Sequence, residues 1–263
     1  MSPLQVHVDG IGLWSPQLAD FAALRALLDG ATVAPPAARP AAALLPSNER
    51  RRAPESVLLA IEVAGQAVAM SRHQAVSLVS IFASAHGDQT ITDYMCSTLA
   101  RQPDALSPTR FHNSVHNAPA GYWSIATGCH AASTSVCAQQ ASFGAALLEA
   151  VSQLLAAQAP VLLVCSDTGA GPPLCEVTGC SQSFGSALVL APHAGPSSRA
   201  RLNVQLRRGH TISELPEPLA GWRAGNASAS ALPLLTLLAR GSGSCTVAAN
   251  GRNDLQIDME SIA

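Results

Sequence analysis

Charge is scarce in this chain of 263 residues: Asp, Glu, Lys and Arg make up 12%, about half of the ~25% usual for globular domains. The 15 basic residues face 17 acidic ones, a formal net charge of -2. That excludes the clustered basic excess needed to neutralise nucleic-acid phosphates. Long hydrophobic runs are missing too. Residues 76–85, among the longest uncharged apolar stretches, are broken by Ser and fall far short of the ~20 residues that span a bilayer. The N-terminal run MSPLQVHVDG has neither a basic start nor an apolar signal core, so a cytoplasmic protein is expected. Neither GxGxxG nor GxxxxGK[ST] occurs, which leaves a nucleotide cofactor without a motif.

The seven cysteines (Cys96, Cys129, Cys137, Cys165, Cys175, Cys180 and Cys245) include no CxxC pair and no Cys/His ligand spacing. A metal site and a disulfide framework are therefore not expected, and the thiols read mostly as small buried hydrophobes in a reducing compartment. What the chain does have is apolar mass, 48% of its residues, enough to exclude disorder and build a large core. So little polar covering at this size implies that part of the surface is buried against a partner.

Residues 6–9 alternate apolar and polar and end at Gly10, the pattern of a strand entering a turn. A short helix is predicted over 16–28 and a Pro/Ala-rich loop over 31–46. In PESVLLAIEVAGQAVAM, Leu58, Ile61, Val63, Ala64 and Val68 share one helical stripe behind Pro54. A strand over 76–84, a loop with Ala85 and His86, and a helix over 87–100 follow. Further helices are predicted over 113–128 and 141–158, with a short strand over 132–138 between them. VLLVCS, residues 161–166, reads as a strand buried on both faces. Strands over 186–192 and 200–207, a helix over 228–238, and strands over 245–249 and 255–259 complete an α/β order of elements. The chain reads as a single domain over 1–263.

The stretch LSPTRFHNSVHNAPAGYWSIATGCHAASTSVCAQQASFGAALLEA, residues 106–150, resembles the β-ketoacyl synthases of the thiolase superfamily. Asn117, Ala120, Gly121, Ser124, Gly128, Ser133 and Val136 fall on that family's offsets without a gap, and VHVDGIGLWSP and NGRNDLQI resemble its opening strand and its closing turn and strand. ERRRAPESVLLAIEVA, SPTRFHNSVHNAPAG and FGAALLEA bring the chain nearest to the short chain length factors of bacterial aryl polyene clusters. The resemblance implies a thiolase-like layered α/β/α fold with a mixed sheet, its N-terminal half complete and its C-terminal half truncated. It also implies pairing with an active β-ketoacyl synthase as a heterodimer, or a homodimer, and traffic with an acyl carrier protein.

In this alignment Gln140 stands where active synthases carry the nucleophilic Cys, and an amide cannot serve as a thiolate nucleophile. Synthases also use two His to polarise the malonyl thioester carbonyl. The second is matched by Asn226, and the stretch between Arg207 and Ala227 is short; only His210 lies beyond residue 200, with no recognisable motif around it. The resemblance thus implies no catalytic residue and no cofactor, and a silent subunit that shapes its partner's acyl pocket during polyene, fatty acyl or polyketide extension. The rival readings are a malonyl-carrier decarboxylase using Gln140, an acyltransferase using Cys129 beside His130 (Cys137, expected to face the core, is the other spare thiol), and a stand-alone acyl-binding protein. His86, Arg110, Phe111 and Asn117 fall on stretches that line the pocket or cross the dimer face in this family, and His112 and His116 read as satisfied packing residues. Arg50, Arg51 and Arg52, the one basic run, are placed ahead of a helix N-terminus, either as a solvated turn or as a contact for an acidic carrier or partner.

Overall fold

The structure, a computed structural model, describes residues 3–209 and 211–262; His210 lies outside the described residues. Strand β1 (Leu4–Trp14) leads through a cap at Asp20 into helix α1 (Phe21–Leu28). After an extended stretch come α2 (Ser47–Arg52) and the long α3 (Glu55–Ser71). Next are β2 (Val79–Ala83), α4 (Gln89–Arg101), α5 (Pro108–His112), α6 (Ala118–Thr127) and β3 (Ser133–Val136). The turn Gln139–Ala141 opens α7 (Ser142–Ala157), followed by β4 (Val161–Asp167), α8 (Leu174–Thr178), β5 (Phe184–Ala191) and β6 (Ala200–Arg208). The chain closes with α9 (Leu219–Ala224), the turn Ala227–Ala231, α10 (Leu232–Arg240), β7 (Ser242–Ala248) and β8 (Asn253–Ser261).

All eight strands share one mixed sheet in the order β3-β2-β4-β5-β1-β6-β8-β7. The pairs β2–β3 and β2–β4 are parallel, and every other pair is antiparallel. Helices α3 and α6 cover one face, packing on Trp14, Phe82, Leu162, Val164 and Val189. The other face is covered by α1, α7 and α10, on Ile81, Leu163, Cys165 and Leu188. This is the layered α/β/α architecture with a mixed sheet that the resemblance implies. Strands β1, β2, β4 and β5 carry helices on both faces, whereas the C-terminal part is reduced to β6–β8 with α9 and α10. Strand β4 is buried at every residue because its side chains point alternately into the two layers. Phe143 and Trp123, each 1% exposed, anchor the layers, and burying such a ring stabilises by about 1.5–3 kcal/mol.

Several sequence expectations are corrected. Strand β1 does not stop at Gly10 but runs on to Trp14, with a bulge between Val8 and Gly10. The glycines mark a close approach rather than a turn: a Cβ on Gly10 would lie 2.0 Å from the carbonyl oxygen of Ala67, and one on Gly12 2.0 Å from that of Val63. Helix α3 thus rests directly on the backbone of β1. Its polar residues His7 and Asp9 are not solvated either, because the strand is central. Asp9, 2% exposed, accepts a hydrogen bond from the Ser198 hydroxyl at 2.6 Å and pairs with His73 Nε2 at 2.8 Å.

The helix expected over 113–128 begins later, as α6, and the short α5 ahead of it had no sequence expectation; each has a proline in its first turn, where a missing N–H costs nothing. Arg50, Arg51 and Arg52 stand ahead of the start of α3 at Glu55, as expected, but they also form the last turn of α2, where the helix dipole favours cations. Strand β2 begins only at Val79, because residues Ala75–Ser77 form a 3-10 turn. The tail helix begins at Leu232, after a 3-10 turn, and the short helices α8 and α9 had no sequence expectation. Among the described residues no helix is long and apolar enough to cross a membrane.

Candidate functional site

The site sits at the carboxyl ends of the parallel strands β2, β3 and β4. Strand β4 ends in Asp167, 1% exposed, a carboxylate at the tip of an otherwise apolar run. A buried carboxylate must be paired or hydrogen-bonded. Its Oδ1 accepts from the Ser84 hydroxyl at 2.6 Å and from the backbone N–H groups of Ala85 at 2.9 Å and His86 at 3.0 Å. Its Oδ2 accepts from the Ser228 hydroxyl at 2.5 Å. One side chain therefore holds together the loop after β2 and the turn after α9.

Asn226 completes the same knot. It is 1% exposed, and its Nδ2 donates to the carbonyls of Asp167 at 2.9 Å and Gln182 at 2.7 Å, while Oδ1 accepts from the Ser228 N–H at 2.8 Å. Its Oδ1 thus caps the turn Ala227–Ala231, and its Nδ2 ties that turn to Asp167 and Gln182. Asp167 was missed by sequence reasoning, although a carboxylate ending a doubly buried strand is itself a signal.

Gln140 lies in the turn between β3 and α7. The preceding residue, Gln139, has φ +51°, in the left-handed region, and Ser142 fixes the turn by donating to the Gln139 carbonyl at 2.7 Å and accepting from the Ala138 N–H at 3.0 Å. Gln140 is exposed and borders a cavity of about 250 Å³ together with Arg223 and Ser230. The rest of that lining is alanine and Ile212, so among the described residues no thiol or imidazole faces Gln140 across it.

The thiols are placed differently from one another. Cys129 is 4% exposed, and its S–H donates to the Leu78 carbonyl at 3.4 Å, whereas His130 points into solvent. Cys137, expected to face the core, falls just past the end of β3 and is exposed, with its S–H donating to the Ala85 carbonyl at 3.4 Å. Cys165, fully buried, donates to the Ser228 hydroxyl at 3.3 Å. Burial pushes its thiol far above the ordinary value, and the nearby Asp167 charge adds to this. Burial, helped by Asp258, pushes Cys245 up to about 12. Thiols held neutral in this way are poor nucleophiles.

The four pocket or interface candidates do not converge. His86 joins the Asp167 knot through its backbone, and its Nε2 is shut from solvent without a hydrogen-bond partner. Arg110 stacks its guanidinium 3.9 Å over the Tyr94 ring, on the outer side of α5. Phe111 is 56% exposed, and Asn117, ahead of α6, is exposed and makes no side-chain cap. His116 donates from Nε2 to the Ser84 carbonyl at 3.0 Å, a satisfied packing role, while His112 is exposed. Phe111, Val115 and Ile125 together put three large apolar side chains in water. Strand β3 lies at one edge of the sheet, with Ser133 and Ser135 exposed.

A mixed sheet between two helical layers, with a strand entering a strained turn at the head of a buried helix, defines the thiolase-type class of acyl-handling folds. The chain belongs to the β-ketoacyl synthase family: the model of that family's N-terminal domain matches residues 28–253. No curated protein matches the sequence. Among solved structures, the chain is similar to one from a ketosynthase (ApeO) in complex with its chain length factor (ApeC) from Xenorhabdus doucetiae. The identity there is 22% and the TM-score 0.74, over 97% of this chain and 99% of that one. It is also similar to a chain of AntDE:AntF, described as a type II polyketide synthase acyl-carrier protein in complex with its ketosynthase bound to the hexaketide. There the identity is 13% and the TM-score 0.73, over 98% of this chain and 99% of that one. The ishigamide ketosynthase/chain length factor matches at 14% identity and TM-score 0.67, over 99% and 100%. These likenesses establish the ketosynthase fold.

Proposed function

We propose that the chain, acting as one unit over its whole length, is the chemically silent partner of an active β-ketoacyl synthase, a chain-length-factor-like subunit in polyene, polyketide or fatty acyl synthesis. The observation that carries this reading is Gln140 at the turn that opens α7, in the position the alignment gives to the nucleophile. An amide there forms no acyl-enzyme. Asn226, aligned with a catalytic His, spends its side chain on a cap and on two ties to backbone carbonyls. Two of the similar structures carry "chain length factor" in their descriptions, which supports the pairing.

The exposed apolar residues of α5 and α6 and the open edge of β3 suit an obligate interface, which typically buries on the order of 2,000–5,000 Å² in total. A carrier protein fits a second surface. Arg39, Arg52 and Arg110 line one groove of about 460 Å³. Its two carboxylates are already engaged, Glu55 by the Ser183 hydroxyl and Asp88 by the N–H groups of Ser56 and Ile91. Three guanidinium groups against two carboxylates, with no ion pair between them among the described residues, leave the groove a net positive charge of one, complementary to an acidic carrier. Aryl polyene synthesis in the cytoplasm is the setting in which this reading places the chain.

The test is co-expression with a cognate ketosynthase and carrier protein. The pair should co-purify as a heterodimer and extend acyl chains, and a Cys-acylating inhibitor should label the ketosynthase and leave this chain unlabelled by intact mass. Gln140→Cys should not restore condensation. Stoichiometric labelling of Cys129 or Cys137 that a Ser substitution abolishes, or turnover of malonyl or acyl carrier protein by the isolated chain, would favour the enzyme readings instead.

A further inference from the structure

Helices α4 and α5 form an arm that the core scarcely holds. Of the thirteen residues of α4 only Gln89 and Ile91, in its first turn, are buried, and α5 buries none. The base is tied down. Asp88 caps the Ile91 N–H at 2.9 Å, and the Gln89 amide donates to the Thr168 carbonyl at 3.0 Å and accepts from the Thr178 hydroxyl at 2.8 Å. Beyond it, the groove of about 460 Å³ opens between the arm and the wall formed by Arg39, Arg52 and Pro54. Helices with so little buried surface draw no support from packing, and their orientation must be fixed by something else.

One side chain does this. The Tyr94 hydroxyl donates to the Ala105 carbonyl at 3.3 Å and accepts from the Ser107 N–H at 2.9 Å, so it grips the connection between the two helices. Over the same ring lies the Arg110 guanidinium of α5, 3.9 Å from the centroid. Among the described residues no other side chain of α4 makes a hydrogen bond to the connection or to α5. Phe111 follows Arg110 directly and is 56% exposed, so the clamp that orients Arg110 also sets where Phe111 is presented.

We propose that Tyr94 is a positioning residue for pairing: it pre-organises the α4–α5 arm so that Phe111 meets the ketosynthase in one fixed geometry. This rests on the reading of the chain as a ketosynthase partner and adds how its docking face is made ready. Tyr94 acts through Arg110 and the connection and has no need to touch the partner. An arm without the clamp samples many orientations, and only the docking-competent fraction captures a ketosynthase. Loss of the clamp therefore slows association, whereas loss of a direct contact speeds dissociation.

Two variants of the full-length chain test it. Tyr94→Phe removes the hydroxyl and keeps the ring, and Tyr94→Leu removes both. Hydrogen exchange on the lone chain should show the Ser107 amide, which loses its acceptor, exchanging at least about tenfold faster in both, while the melting temperature holds because the arm buries almost nothing. Surface plasmon resonance against the immobilised cognate ketosynthase should show association slowed about tenfold in Tyr94→Leu and about threefold in Tyr94→Phe, with dissociation changed by less than about twofold. If Tyr94→Leu fails to fold, the same measurements on Tyr94→Phe decide. Unchanged exchange, unchanged association, or faster dissociation at unchanged association overturns the proposal, the last by making Tyr94 a direct contact. If the unaltered chain does not bind the ketosynthase although its Ser107 amide still depends on Tyr94, the pairing reading fails and takes the docking role with it. Normal pairing that is indifferent to Tyr94 strikes this proposal alone.

Discussion

The side-chain amide of Asn226 donates across 2.9 Å to the main-chain carbonyl of Asp167, tying the turn after α9 to the end of the central strand β4. Asp167 returns the tie through its carboxylate, which accepts from Ser228. In the proposed reading, in which Asn226 stands at the second His position, that position is held by a structural knot. Such a knot requires these side chains to be partnered, not free to touch a substrate.

Removing the carboxylate should therefore read out as stability. Asp167→Ala would strand the Ser84 and Ser228 hydroxyls and the N–H groups of Ala85 and His86 in a buried site. The expected loss is about 3 kcal/mol or more, measured by urea denaturation. A loss below about 1 kcal/mol would show that water can replace the carboxylate.

Gly12→Val should be still more damaging. The added Cβ would meet the Val63 carbonyl at 2.0 Å, and backbone on both sides cannot move aside. The prediction is failure to accumulate soluble protein, or a destabilisation above about 3 kcal/mol. Gly121→Ala, whose Cβ would meet nothing within 4 Å, is the control that should fold normally.

These two sites show what the sequence could reveal. Strand β4 was legible because Val161–Cys165, buried on both faces, leave a continuous apolar run, and α3 because its apolar residues persist over a length no strand would need. Strand β1 was misread since a glycine marking close helix approach is written like a glycine marking a turn. Helix α2 hid in a run of arginines with no apolar period, and the helix expected from 113 starts only at Ala118 because residues 113–117, between α5 and α6, hold no Pro or Gly to mark the break. The positions proposed for Gln140 and Asn226 rest on the resemblance to a family and on no local pattern. The cavity of Arg223 and Ser230 was not legible, since its walls come from segments far apart in the chain and no local pattern records that meeting.

The buried thiols set an alkaline limit on stability. Folding raises the Cys245 pKa to about 12, by burial and then by the Asp258 charge, and raises that of Cys165 as well. An unfolded thiol ionises near 8.5, so above about pH 8.5 the unfolded chain binds fewer protons than the folded one, and stability falls as pH rises. Each such thiol contributes a slope of up to ~1.4 kcal/mol per pH unit, continuing for Cys245 until about 12. Urea titrations between about pH 8 and about pH 10 should show this decline, and Cys245→Ala should make it shallower. An unchanged slope in that variant would mean that the Cys245 thiol ionises in the folded chain as it does in the unfolded one.

The interface makes the last prediction. Phe111, Val115 and Ile125 are 56%, 49% and 59% exposed in the single chain, near the point where α5 passes into α6. Because Phe111 is already in water, Phe111→Asp should change the stability of the isolated chain by no more than about 0.5 kcal/mol. In the assembly the same change buries an unpaired carboxylate, at a cost of about 3–5 kcal/mol, which weakens pairing by at least about a hundredfold. Co-purification with the ketosynthase should therefore be lost while the melting temperature of the lone chain holds. Phe111→Leu, which keeps the apolar contact, should retain the complex. If Phe111→Asp co-purifies as well as the unaltered chain and product length is unchanged, Phe111 lies outside the interface and the docking face must be sought elsewhere, first along the exposed edge of β3.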